Sequence, residues 1–125
     1  DIENGVAVLV RRDTLEKETV KLEELSQKLE ELLENIQKNM FEECLKLRER
    51  RTTIAHSLEE IKENLDKNQG YVKTMWCGDV ECENKVKEKT GAHSRCMPFK
   101  QEHLDDKCAI CGKEAKHMVV WGRQY

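Results

Sequence analysis

Two short stretches decide how this chain folds: Cys77-Gly78-Asp79-Val80-Glu81-Cys82 and, further along, Cys108-Ala109-Ile110-Cys111-Gly112. The first spaces its cysteines as Cys-x4-Cys and the second as Cys-x2-Cys. Two such pairs, held at either end of a connecting segment, can close a tetrahedral shell of thiolates around zinc, a d10 ion that binds sulfur well and has no redox chemistry of its own. Four protein ligands leave no open position for water or substrate, so a metal at Cys77, Cys82, Cys108 and Cys111 holds a fold together and does not catalyse. The same four thiolates also suit iron. Paired spacing of this kind, in a chain without a visible secretory signal, favours a metal site over a disulfide framework or four unrelated buried cysteines.

Working outward, Gly112 follows the second pair and relieves crowding there, which lets backbone N–H groups point at sulfur, as in a zinc knuckle. Read instead as a redox dithiol, Cys108 and Cys111 would want a strand before them and a helix start beneath them; the polar Asp105-Asp106-Lys107 and the immediate Gly112 suit a knuckle. Asp79 caps a helix that runs to about Thr90 and stops at Gly91. Cys82 then lies in its first turn, where the helix dipole favours a thiolate over a thiol. Residues 71–76 alternate like a strand and deliver Cys77 to its end. Arg95-Cys96-Met97-Pro98-Phe99 reads as a strand stopped by the only proline, residues 101–107 as a polar loop, and residues 115–121 as the last strand.

Upstream, Leu22, Leu25, Leu29, Leu32 or Leu33, Ile36, Met40, Cys44 and Leu47 recur at three- and four-residue steps and predict an amphipathic helix over about 22–51. Heptad spacing holds only from Leu22 to Ile36, so the stripe is expected to pack on a sheet and not in a coiled coil, with Cys44 a small core residue. Arg48, Arg50 and Arg51 complement the negative end of that helix. Residues 52–55 are β-prone. Ser57 and Glu60 form a capping box for a second helix carrying Leu58, Ile61 and Leu65 on one face and ended by Gly70. Near the start, residues 6–10 are an unbroken apolar run, the composition of a strand buried on both faces. The chain then turns at Arg11-Arg12-Asp13-Thr14, and residues 18–21 are either its hairpin partner or a separate strand.

These elements predict an α+β, two-layer fold in β-α-β-α-β-β order, with a small mixed sheet, two long helices on one face and the four-cysteine zinc module at one edge.

The chain has 125 residues, 38% of them apolar, 5% aromatic and 38% charged, which makes for a modest core and long solvated helix faces. Residues 1–70 carry 12 basic and 17 acidic side chains and residues 71–125 carry 10 and 8. A zinc tetrathiolate adds two negative charges to the second half and brings it close to neutral, which speaks against a dedicated nucleic-acid surface. No apolar run approaches the roughly 20 residues that span a bilayer. The four histidines have no metal-type spacing, and Cys96, the remaining competitor for a metal position, stands alone in a strand. No Ser-His-Asp or Cys-His set and no glycine-rich phosphate loop can be argued from the chain. It opens on Asp1, without Met, and enters an apolar stretch at once; a fragment of something longer is expected.

Taken together, Trp76-Cys77-Gly78-Asp79-Val80-Glu81-Cys82, Thr90-Gly91-Ala92 leading to Arg95-Cys96-Met97-Pro98-Phe99, Lys107-Cys108 to Gly112-Lys113, Ala115-Lys116 and the terminal Gly122-Arg123-Gln124-Tyr125 resemble the C-terminal zinc-binding domain of prolyl-tRNA synthetase, in the archaeal and eukaryotic-like form of that class II enzyme. Asp1 to Gly5 and Arg11 to Thr14 resemble the last strand of the anticodon-binding domain that precedes it, which implies a division into residues 1–20, the strand or hairpin remnant of that domain with a linker, and residues 21–125, the zinc-binding domain. The resemblance implies a zinc ion on Cys77, Cys82, Cys108 and Cys111, a Cys96 that is not a ligand, and a Tyr125 whose carboxylate reaches toward the catalytic domain. It implies a cytoplasmic, homodimeric parent that joins proline to its tRNA with ATP, whose proline and ATP pockets and most of whose anticodon-reading residues lie outside this chain. The partners would then be the catalytic and anticodon-binding domains of the same polypeptide and, through the parent, tRNA(Pro). Leu15 departs from the pattern, since relatives often carry Gly after Arg-Arg-Asp-Thr; Leu resists positive φ, so another turn geometry is expected there. An autonomous zinc ribbon that binds RNA or DNA is the alternative reading.

Overall fold

The computed structural model describes residues 2–124. They form two compact units, Asp1–Leu47 and Arg48–Tyr125.

In the first unit β1 (Val6–Val10) and β2 (Lys17–Lys21) pair antiparallel, with Val8 opposite Thr19, so residues 18–21 are the hairpin partner. A single hairpin has no second layer for each face. Val8 and Val10 are accordingly exposed and Val20 is the buried member, which corrects the expectation of a strand buried on both sides. The turn between the strands closes through Leu15 N–H to Arg11 C=O at 3.0 Å and Arg11 N–H to Glu16 C=O at 2.8 Å. Leu15 takes a φ of 63° there, so the turn keeps the left-handed geometry and Leu bears it. After a 3-10 turn, α1 (Leu25–Arg50) begins. The hairpin is tied to it by polar contacts: the Arg11 guanidinium donates to Asn35 at 2.8 Å, and the Asn39 amide donates to Asp13 at 2.9 Å. No residue of α1 is buried, and Cys44, expected in a core, is exposed.

The second unit holds a mixed sheet of β3 (Thr52–Ile54), β4 (Tyr71–Trp76), β6 (His117–Arg123) and β5 (Ala92–Cys96), in that spatial order. β3 and β4 run parallel; β6 is antiparallel to both of its neighbours. The parallel pair is joined by α2 (Leu58–Lys67), and α3 (Val80–Thr90) follows β4. Together α2 and α3 cover one face of the sheet, over a core of Ala55, Ile61, Leu65, Val72, Val86, Ala92, Val119 and Trp121. The Trp121 indole N–H donates to Thr74 Oγ1 at 2.8 Å, which satisfies two polar groups inside that core.

The caps follow the sequence with two shifts. Ser57 accepts from the Glu60 N–H, but the Glu60 carboxylate reaches the N–H of His56, one residue outside the expected box. α2 ends at Lys67, before Gly70. Gly70 has a steric duty instead, because a Cβ there would lie 2.0 Å from the Arg51 carbonyl oxygen, which accepts from the Tyr71 N–H. β5 also starts earlier than its motif suggested: Gly91 caps α3 in the left-handed region and feeds the strand directly at Ala92, and after a register shift between Ser94 and Cys96 the pairing resumes with Cys96 opposite Val120, the last pair before Pro98.

Candidate metal centre

Four sulfurs converge at the end of β4. Cys77 is the first residue after that strand, and Cys82 sits in the first turn of α3, with Asp79 accepting from the Glu81 N–H at 2.9 Å to start the helix. The Trp76 indole donates to the Asp79 carbonyl at 3.1 Å and braces the turn between the two cysteines.

Cys108 and Cys111 arrive on a tight loop. The Cys108 N–H donates to the Lys113 carbonyl at 2.7 Å and the Gly112 N–H to the Cys108 carbonyl at 2.9 Å, while Ala115 N–H reaches Asp106 C=O at 2.9 Å. Gly112 holds a φ of 72°, a conformation that a Cβ would strain, so the turn after Cys111 needs the glycine found there. The loop is docked onto β4 through Ala109 N–H to Met75 C=O at 3.0 Å and Lys116 N–H to Trp76 C=O at 2.8 Å. Ile110, between the two cysteines, packs against the core. Two of these anchoring groups, the Ala109 and Lys116 amides, have no side-chain signature in the sequence, whereas the apolar Ile110 inside the Cys-x2-Cys loop is a legible one.

The four Sγ atoms all lie within 4.8 Å of one another, and Cys77 is 3.7 Å from both Cys82 and Cys111. Zn–S bonds of about 2.3 Å in a tetrahedron put sulfurs about 3.8 Å apart, whereas a disulfide needs about 2.05 Å. All six cysteines are free thiols, and the four that converge are buried or half-buried. Soft donors at this spacing, closed off from solvent on several sides, fit a tetrahedral ion, and these four residues could hold one.

The thiols are not alike. Burial pushes Cys82 well above the ordinary thiol range, against the helix dipole that was expected to favour its thiolate. Burial raises Cys108 too, opposed by backbone groups of Cys111, Ile110 and Cys77. Cys111 is lowered to about 7, first by its hydrogen bond from the Lys113 backbone. A cation held among the four sulfurs would let the buried pair ionise.

Cys96 is exposed and outside the cluster. His56 faces Asp105 at 3.1 Å and His103 faces Asp106 at 3.0 Å, away from the sulfurs. Tyr125 lies outside the described residues.

The family model described as prolyl-tRNA synthetase, C-terminal, matches residues 58–125, which is more than half of the chain and includes all four converging cysteines. The chain belongs to the prolyl-tRNA synthetase C-terminal family. It is 54% identical over all 125 residues to the proline-tRNA ligase of Clostridium novyi, 50% to proline-tRNA ligase 2 of Bacillus thuringiensis and 50% to the proline-tRNA ligase of Clostridium botulinum. The chain spans about a quarter of the length of these relatives, 26% in each case. Within the prolyl-tRNA synthetase C-terminal family, the helix, strand and loop that carry the cysteines all lie in the matched part.

Proposed function

We propose that this chain is the non-catalytic, zinc-stapled C-terminal support of a proline-tRNA ligase, an enzyme that activates proline with ATP and transfers it to tRNA(Pro). The observation that carries the reading is the similarity of all 125 residues of the chain to a quarter of the length of proline-tRNA ligases, at 49–54% identity, in a chain whose four clustered side chains are all thiols. Cys77, Cys82, Cys108 and Cys111 hold the ion. Bound zinc supplies four metal-thiolate bonds and no free coordination position, so its role is to fix the end of β4, the start of α3 and the knuckle as one rigid corner. The domain braces the catalytic and anticodon-binding domains, residues 1–20 belong with the end of the latter, and Tyr125 is presented toward the catalytic domain. ATP, proline and tRNA bind elsewhere in the parent, which is a cytoplasmic homodimer. Among the described residues no helix is long and apolar enough to cross a membrane.

The test combines metal analysis with aminoacylation by the full-length enzyme, purified without added zinc. One equivalent of zinc, released only on denaturation or thiol modification, is expected, together with proline-specific charging of tRNA. Metal-free protein with an oxidisable dithiol would defeat the staple. Salt-dependent binding of generic RNA by the chain, without charging activity in its parent, would favour a zinc ribbon instead.

A further inference from the structure

The four clustered sulfurs do not face solvent equally. Cys82 and Cys108 are each 2% exposed, whereas Cys77 and Cys111 are only half-buried. An open cavity of about 380 Å3 reaches Cys77, lined also by Gly78, Asp79, Lys113, Glu114 and Lys116. Gly78, at a φ of 90°, has no side chain to close it, and a Cβ there would meet the His117 ring at 3.8 Å, an ordinary contact. Two lysines and two carboxylates share the lining, so a charged reagent gains little from it while a small neutral one can enter.

Cys77 also has two sulfur neighbours at the same distance, Cys82 and Cys111, each 3.7 Å away. A disulfide needs a further approach, to about 2.05 Å. Cys82 is poorly placed to make it. It sits in the first turn of α3 with its N–H bonded to Asp79 C=O at 3.1 Å, and drawing its buried sulfur outward would empty a packed site. Cys111 lies on a loop and already borders solvent, so it can move without opening the core. Cys108, its companion in the Cys-x2-Cys spacing, is as buried as Cys82.

We propose that Cys77 and Cys111 are a peroxide-sensitive thiol pair on the open side of the metal centre, closing to a reversible disulfide that releases the ion and leaves Cys82 and Cys108 reduced. This rests on the metal reading proposed above and adds to it a modification site and its reagent. The Cys77 sulfur attacks one oxygen of hydrogen peroxide, the O–O bond breaks, and the departing hydroxide takes a proton to become water. Cys77 is then a sulfenic acid. The Cys111 sulfur attacks that sulfur, the S–S bond forms, the S–O bond breaks, and the second hydroxide also leaves as water. The two sulfurs together lose two electrons and peroxide gains them. With two of its four ligands gone the ion dissociates, and Cys82 and Cys108 take up protons.

The chain carrying Cys44→Ser and Cys96→Ser, zinc-loaded and freed of reductant, is treated with hydrogen peroxide; a colorimetric chelator follows zinc release, and differential alkylation with tandem mass spectrometry assigns the linkages. One equivalent of zinc is expected to leave, with Cys77–Cys111 at least about ten-fold more abundant than any other linkage, and dithiothreitol with added zinc is expected to restore the loaded state. If the double variant does not load zinc, the wild-type chain is mapped in the same way. Zinc that stays bound at peroxide doses that oxidise Cys96 of the wild-type chain overturns the proposal and leaves the metal site standing. So does a main product that joins Cys77 to Cys82, involves Cys108, or is an irreversible sulfinic acid. A wild-type chain that takes up no zinc overturns both.

Discussion

Leu15 shows how a single residue can be strained without being misplaced. Its φ of 63° costs an L-residue about 1–2 kcal/mol, and the side chain is largely in solvent, so no packing offsets it. Leu15→Gly is expected to stabilise the hairpin unit by about 1 kcal/mol, read as a higher denaturant midpoint with an unchanged slope. Asp13, two residues earlier, is the receiving end of the Arg11 fork at 2.7 and 3.0 Å and of the Asn39 amide. Those donors hold its carboxyl well below the ordinary value of 3.8, the Arg11 hydrogen bond foremost. A depressed carboxyl stabilises the folded state above its unfolded pKa and ceases to do so as pH falls through the folded one. Wild type should therefore melt higher than Asp13→Asn at pH 6, with the gap closing as the pH is lowered below the ordinary carboxylate range. A gap that is constant with pH would mean that the Arg11 contact is structural and independent of charge.

At the scale of elements, the buried Trp121–Thr74 contact joins the two middle strands. Thr74→Val keeps the shape and removes the acceptor, leaving an indole N–H inside the core without a partner; a loss of about 1–3 kcal/mol is expected by chemical denaturation. Several elements were legible beforehand because local chemistry announces them. Ser57, Asp79 and Gly91 mark their helix ends, and the alternation over 71–76 gives β4 its bounds. What was hidden is tertiary. The stripe through Leu22, Met40 and Cys44 has helical period whether or not a layer covers it, and Met40 and Cys44 are exposed. The apolar run of β1 likewise reports affinity for a core and not its presence. Cys77, Cys82, Cys108 and Cys111 could be grouped from spacing alone, since few arrangements bring two close pairs into one shell; the amides that lock their loop onto β4 carry no residue preference to read.

For the molecule as a whole, the sulfur cluster ties together segments that the second unit's small core does not fully fix. Without the proposed ion, the end of β4, the start of α3 and the Cys108–Cys111 loop would meet at that corner through thiols alone. Chelation at neutral pH, or Cys111→Ser, is expected to lower the melting temperature of the second unit by roughly 10 °C or more, measured by calorimetry with zinc content followed in parallel. Since the Cys82 and Cys108 thiols are raised by burial, protons compete strongly with the ion, and zinc retention should fall as the medium is acidified. An equally stable, metal-free unit would remove the staple from the account.

The order of strands in space has a consequence for synthesis. β6 lies between β4 and β5, yet it is the last of the sheet's strands to be translated. A nascent chain that has already exposed both flanking strands must keep a slot open between them until residues 117–123 leave the ribosome. Messages cut short anywhere upstream thus yield a product whose sheet cannot close, one that quality-control proteases can tell apart from a finished polypeptide.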